Sequence, residues 1–188
     1  AVILACGGAS WPRLGSNGAW LPVLQEQGID VLPLQAANCG FDSNWSTEFS
    51  QKFAGQPIKS GVLSLVDKTG QMHSKQGDFV ITATGIEGSL IYALSRPLRE
   101  TINQNGQVTV YLDLVPHKSV AQVEAILAKP RGSNSLANYL RKQFAIDGVK
   151  AGLLRECVAK EVMQNNHTLA HTLKAVPITL YQTRPIAE

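Results

Sequence analysis

Positions 7–18 read GGASWPRLGSNG, with glycines at 7, 8, 15 and 18 and Ser10, Pro12, Ser16 and Asn17 between them. Glycines in a loop let backbone N–H groups approach an anion closely, and the start of a following helix adds a favourable dipole. Nucleotide binding is the chemistry such a loop performs, and a tight strand-to-helix turn uses the same glycines. The spacing is neither GxGxxG nor a P-loop with its lysine, so neither standard fingerprint applies. A second group lies at 82–89, TATGIEGS, where Gly85 and Gly88 flank Glu87 just before an apolar-periodic stretch. A helix N-terminus explains a carboxylate there, because its free N–H groups and dipole favour negative charge. The functional alternative is an acid/base or anchoring role toward a substrate. His167 and His171 stand four apart on a predicted helix face, the spacing of a metal pair. They have no third ligand and no HExxH context in the sequence and are read as solvated helix histidines.

The elements that must position these groups follow from periodicity and punctuation. Residues 1–5, AVILA, read as a short strand buried on both faces of a parallel sheet. A helix over 19–27 follows the loop, with Ser16 or Asn17 as its cap and Gly28 as its stop. A short strand is expected at 30–34. Residues 36–55 hold Phe41, Trp45, Phe49 and Phe53 without steady periodicity and read as loop with one turn of helix. Strands are predicted at 58–66, 71–74 and 78–82, the first two joined by the turn Asp67-Lys68-Thr69-Gly70. Leu90, Ile91, Leu94, Leu98 and Ile102 predict a helix over 90–102. A strand at 107–114 precedes helices at 119–128, 135–144, 149–161 and 169–175, and 177–181 returns to strand. A helical block bracketed by strands predicts an α+β fold: a β-barrel-like sheet of about six strands that hosts the helices as an insert.

The chain has 188 residues, of which 44% are apolar and 16% charged, with a net charge of +3. Wholesale disorder is excluded, and so few charges imply that part of the surface is normally covered. No cluster of Lys and Arg supports nucleic-acid recognition; Arg131, Arg141, Lys142 and Arg155 read as solvated helix surface. Cys6, Cys39 and Cys157 are odd in number and widely spaced, giving neither a disulfide framework nor a CxxC site. That usage favours a reducing, cytoplasmic setting. Neither a membrane span nor a signal peptide is apparent. The apolar opening and the abrupt end, ITLYQTRPIAE, are read as the borders of an excised piece of a longer chain.

Three ordered segments carry a family resemblance. LACGGASWPRLGSNGAW at 4–20 resembles the GGxSxPxxGxxG segment of the HI0933-like family of FAD-dependent flavoproteins. GDFVITATGIEGSLIYALS at 77–95 is similar to its strand, Thr, Gly-rich turn and helix, and VYLDLVP at 110–116 to its LDLLP strand. TRPIAE at 183–188 resembles the entry to a second flavin-domain portion. The sequence departs from the family pattern at Trp11 (commonly tyrosine), Glu87 (commonly serine) and Ser89 (commonly proline).

The resemblance implies an insert between two parts of a flavin domain. Residues 1–29 would be the edge of the FAD-binding domain, 30–115 with 177–183 the barrel-like domain, 116–176 the helical insert and 184–188 the return. It implies FAD in the full-length protein, expected to be absent from this piece because the dinucleotide fingerprint lies outside it, with NAD(P)H as a possible co-substrate. Gly7, Gly8, Ser10, Pro12, Gly15, Ser16, Gly18, Gly85 and Gly88 would lie at the cofactor, Arg184 would meet a phosphate, and Glu87 would be catalytic. The implied partners are the rest of the same FAD-binding domain and a small-molecule substrate. The alternative class is a non-catalytic flavoprotein whose insert recognises a macromolecule such as RNA.

Overall fold

A computed structural model describes residues 1–187. Glu188, the last residue of the expected return segment, lies outside the described residues. The sheet elements are β1 (Phe41–Asp42), β2 (Pro57–Val66), β3 (Met72–Ile81), β4 (Gly85–Glu87), β5 (Val108–Asp113), β6 (Val176–Leu180) and β7 (Gln182–Thr183). They form one antiparallel sheet in the order β6-β5-β2-β3-β4-β1-β7. The fold is α+β, but the expected barrel is overturned: the sheet is open, and its end strands β6 and β7 are not paired with each other. They follow one another along a single path with only Tyr181 between them, so neither can present a ladder to the other.

The β2–β3 hairpin carries the longest register, from Pro57 opposite Val80 to Val66 opposite Met72. Strands expected separately at 71–74 and 78–82 are one strand, because pairing with β2 spans the polar Lys75-Gln76 stretch that interrupts the apolar pattern. The predicted turn forms as expected. Asp67 N donates to Gln71 O at 2.9 Å, and Gly70 takes the left-handed φ of +86° that the turn requires. The Asp67 carboxylate accepts from Thr69 N, Thr69 Oγ1 and Gln71 N, and pairs with His73 Nε2 at 2.7 Å. A bulge between Ile58 and Gly61 is held by Asp78, whose carboxylate accepts from Ser60 N at 2.7 Å.

The helix expected over 90–102 is two: α3 (Ser89–Tyr92) and α4 (Ser95–Asn105). Its apolar stripe survives the break, since Leu90, Ile91, Leu94, Leu98 and Ile102 are all buried. α3 packs on β3 at Gly77, where an added Cβ would stand 3.3 Å from Leu90 Cβ. Residues 36–55, read as loop, supply β1 and α2 (Thr47–Phe53), and Phe41, Phe49 and Phe53 enter the core. Phe41, Trp45, Phe49 and Phe53 recur every four residues, a helical spacing over the last three that short length disguised.

Between β5 and β6 lie α5 (Val120–Leu127), α6 (Leu136–Phe144), α7 (Gly148–Cys157), α8 (Lys160–Gln164) and α9 (Asn166–Lys174). Ser119 and Gln122 close a capping box on α5, and Ser135 caps α6. The single helix expected at 149–161 ends at Cys157, and α8 starts separately. Val123 and Leu127 of α5 bury against Leu169, Ala170 and Leu173 of α9. Each such aliphatic burial contributes about 1.5–3 kcal/mol before conformational entropy is counted. β6 pairs with β5 from Val176 opposite Leu112 to Leu180 opposite Val108, so this strand belongs to the sheet rather than to the helices. Pro177 sits in this end strand, where a missing N–H is tolerated.

Candidate functional site

The 7–18 loop is knitted largely from its own backbone. Trp11 and Ser16 exchange N–H···O bonds of 3.1 Å around a 3-10 turn, Pro12–Leu14, that Pro12 opens at the position where proline fits best. Gly15 ends the turn at φ +87° and Gly18 follows at φ +69°, where a Cβ would lie 3.0 Å from that of Ala9. Gly18 N donates to Gly8 O at 3.2 Å, and the Trp20 indole donates to Gly7 O at 3.0 Å. Helix α1 (Trp20–Glu26) takes Ala19, not Ser16 or Asn17, as its N-cap residue; Asn17 Oδ1 accepts from Ala19 N at 3.0 Å. The internal bonds use the N–H groups of Trp11, Leu14, Gly15, Ser16 and Gly18, whereas those of Gly8, Ala9 and Ser10 donate to no other described residue. The expected strands at 1–5 and 30–34 do not form. A strand needs a ladder partner, and neither segment has one among the described residues; Val2, Ile3, Leu4 and Leu32 are exposed.

Besides a hollow of about 350 Å³ lined by Ser10, Trp11, Pro12, Arg13 and Ala187, two larger ones flank this loop. One of about 640 Å³ is almost wholly apolar and is bounded by Leu4, Cys6, Gly7, Trp20, Val23 and Leu24. The other, about 390 Å³, lies between Gly8, Ser10 and Trp11 on one side and Leu34, Asn38 and Ile186 on the other. The loop therefore meets the chain just beyond Arg184, as well as the segment leading into β1.

Glu87 is exposed and ends β4, opposite Val80 of β3. It is not in the first turn of a helix: Gly88, at φ +116°, is the N-cap residue of α3, and Glu87 precedes it without capping. Its neighbourhood is built around Gly40, where an added Cβ would lie 3.2 Å from Arg184 Cγ and 3.3 Å from Glu87 Cβ. Arg184 N donates to Gly40 O at 2.9 Å, and Arg184 Nη1 lies 3.4 Å from both oxygens of Asp42. Asp42 also accepts from Thr84 Oγ1 at 2.5 Å and from Gln182 Nε2 at 2.8 Å. Burial alone would raise this carboxyl. The hydrogen bonds from Thr84 and Gln182, with the Arg184 guanidinium, outweigh that and hold it below the usual carboxylate range. Asp42, Thr84 and Gln182 carried no sequence signal, since they are single polar residues far apart in the chain.

Among the described residues no hydrogen bond or ion pair joins Glu87 to the 7–18 loop. The two share neighbours: Gly40 and Arg184 at Glu87 lie two residues from Asn38 and Ile186 at the loop. Gly85 and Gly88 have backbone neighbours of their own. A Cβ on Gly85 would meet Phe41 O at 1.8 Å, and one on Gly88 would lie 3.2 Å from Phe79 Cα. Beneath this region Cys39 is buried, its thiol pushed up by burial against the opposing influence of Ser95 and Arg99. Arg99 Nη1 donates to Ala36 O at 2.5 Å, while its buried Nε has no hydrogen-bond partner among the described residues. Cys6 is exposed at the apolar hollow, and Cys157 is pushed up to about 12 by burial and the Glu156 carboxylate.

Residues 35–188 match the family described as "HI0933-like protein barrel and H2TH domain". The chain belongs to the HI0933-like family. Over the matched stretch its sheet is the open one described above. Membership links the chain to FAD-dependent oxidoreductases at the level of the family. The chain is also similar to a 3-dehydro-bile acid delta(4,6)-reductase of Clostridium scindens, with 28% identity over 122 residues. That stretch is 65% of this chain and 29% of the relative, so the chain spans under a third of that protein. Among the described residues no helix is long and apolar enough to cross a membrane.

Proposed function

We propose that this HI0933-like chain is the insert region of an FAD-dependent oxidoreductase, shaping a small-molecule substrate pocket beside the flavin. The observation that carries this reading is the convergence of the 7–18 loop, the 34–38 segment and the chain beyond Arg184 on one cleft. The loop's fit to a flavin nucleotide rests on the N–H groups of Gly8, Ala9 and Ser10, which donate to no described residue beside Gly7 at φ +77°. Amides free in a glycine turn are what a pyrophosphate or a flavin carbonyl edge accepts from. Trp11, Pro12 and the adjoining apolar wall suit the planar, water-excluding side of such a site. When bound, FAD would supply hydride transfer, with NAD(P)H as the reductant, and a reductase is among the proteins to which this chain is similar.

The chain's own residues would bind and orient. Gly7, Gly8 and Ser10 would border the cofactor. Gly15, Ser16 and Gly18 would hold the loop in shape, and Gly85 and Gly88 would place β4. Arg184, engaged by Asp42, would offer its positive charge at the return of the chain. Domain edges near 29, 115, 176 and 184 go with this reading, as does coverage of the apolar hollow by the remaining flavin domain.

Glu87 is the proposed substrate-handling carboxylate. It is exposed, held at a strand end rather than spent on a helix cap, and stands beside Gly40 and Arg184. In the full-length flavoprotein, Glu87→Gln is expected to leave FAD affinity nearly unchanged. It should slow substrate-dependent flavin reoxidation, read by stopped-flow absorbance, about tenfold, equivalent to about 1.4 kcal/mol. An unaltered rate would assign Glu87 to the surface of β4 and remove it from the reaction.

A further inference from the structure

We propose that Glu124, His167 and His171 form a binding site for a divalent transition-metal ion of the zinc class, stapling the first helix of the helical block to the last. His167 and His171 lie one turn apart on α9 and therefore share a face, and packing of α5 against α9 brings Glu124 to that face. Glu124 Oε1 is 2.5 Å from His167 Nδ1 and 3.6 Å from His171 Nε2. The imidazole rings meet edge-on with centroids 4.7 Å apart. One ligand atom from each of the three residues falls within 4.8 Å of the other two. Zinc bonds to nitrogen and carboxylate oxygen of about 2.0–2.2 Å separate tetrahedral ligand atoms by about 3.3 Å. The Glu124–His167 pair has to open by less than about 1 Å to accept the ion, and the His171–Glu124 separation already fits.

Two features favour a metal over a plain ion pair. Among the described residues no lysine or arginine pairs with Glu124, so its carboxylate is engaged by imidazoles alone. The cluster is also anchored from below: Val123, Leu127, Leu169 and Leu173 are buried, and Asn166 Nδ2 donates to Leu127 O at 2.9 Å. The backbone positions are thus held, and only the half-buried Glu124 side chain and the two exposed imidazoles need to adjust. Two imidazoles and a carboxylate suit Zn²⁺, Co²⁺ or Ni²⁺, with the fourth position left to water. The site is independent of the flavin reading and does not depend on it.

Titration of the metal-stripped 188-residue chain with ZnCl2 in a non-chelating buffer, followed by calorimetry, tests the site. One equivalent is expected to bind, with Co²⁺ giving the visible bands of a low-coordinate nitrogen and oxygen site. His171→Ala and Glu124→Gln should each weaken binding at least about tenfold. Glu124→Gln keeps the size and a hydrogen-bond acceptor, so its fold is preserved. Zinc at about a hundredfold above its Kd should raise Tm by about 5 °C or more in the wild type, and less in either variant at the same zinc concentration. Undiminished binding in both variants would place zinc on other groups, such as His73, His117 or Cys6, and overturn the proposal. Absence of binding by the folded wild type would overturn it equally.

Discussion

Gly85 and Gly152 show how differently two glycines constrain one molecule. A Cβ at Gly85 would stand 1.8 Å from the carbonyl oxygen of Phe41, an atom of the β1 backbone itself. Side-chain overpacking costs about 1–3 kcal/mol, and a collision with a paired backbone exceeds that range because the β1–β4 ladder has to part. Gly85→Ala is therefore expected to destabilise by about 3 kcal/mol or more. A Cβ at Gly152 would meet the Phe53 ring at 2.3 Å, an obstacle that turns aside at the cost of repacking against α7. Gly152→Ala is expected to cost about 1–3 kcal/mol. Urea denaturation of the two variants checks the order, and a smaller loss at Gly85 would refute the backbone argument. The same comparison separates scaffold from chemistry at 82–89: Gly85 is explained by packing, whereas Glu87 is left exposed at the strand end.

The β2–β3 hairpin is one place where the sheet is expected to be sensitive to acid, at the level of the element. Asp67 gathers Thr69, His73 and Gln71 around one carboxylate, and the Thr69 hydroxyl, followed by His73, holds its pKa well below the ordinary value. Lys68 N donates to the buried Thr101 Oγ1 at 3.1 Å, tying the turn to α4. A carboxyl whose pKa is depressed on folding stabilises the native state above its unfolded pKa, about 3.9, and that contribution is lost as pH falls through the folded value. Asp67→Ala should therefore be less stable than wild type at neutral pH, with the gap closing steadily below about pH 4. Denaturation midpoints measured from pH 7 to pH 2 decide it, and a gap independent of pH would show that Asp67 acts through shape alone. α3 and α4 part near Leu94, yet both halves keep the same apolar stripe buried.

For the molecule as a whole, the hydrophobic core runs from Cys39 to Leu180, and no residue before Ala36 packs in it. The segment ahead of it presents Val2, Ile3, Leu4, Leu14, Val23 and Leu32 to solvent. A chain starting at Gln35 is expected to keep its Tm within about 2 °C, because a core that loses no buried apolar group loses little free energy. It should also bind far less of a hydrophobic dye than the 188-residue chain, since the exposed apolar surface goes with the segment. Calorimetry and dye fluorescence on the two chains test this, and a large fall in Tm would show that the 7–18 loop braces the sheet.

Local physics alone determined much of this protein. The Asp67–Gly70 turn, the caps Ser119 and Ser135, the apolar stripe from Leu90 to Ile102 and the helical block before β6 all depend on neighbours within a few residues. The resemblance to the HI0933-like family was also legible in the sequence, and residues 35–188 match that family. Tertiary structure decided what depends on partners distant in sequence. Residues 1–5 and 30–34 have strand-like composition but no ladder, while Phe41–Asp42 is a strand only because β4 and β7 flank it. Closure was undecidable from strand count, since it rests on pairing between the two end strands. The Asp42–Thr84–Gln182–Arg184 network and the Glu124–His167–His171 cluster each join residues more than 40 positions apart. Only the packing of the sheet and of α5 on α9 brings them within bonding distance.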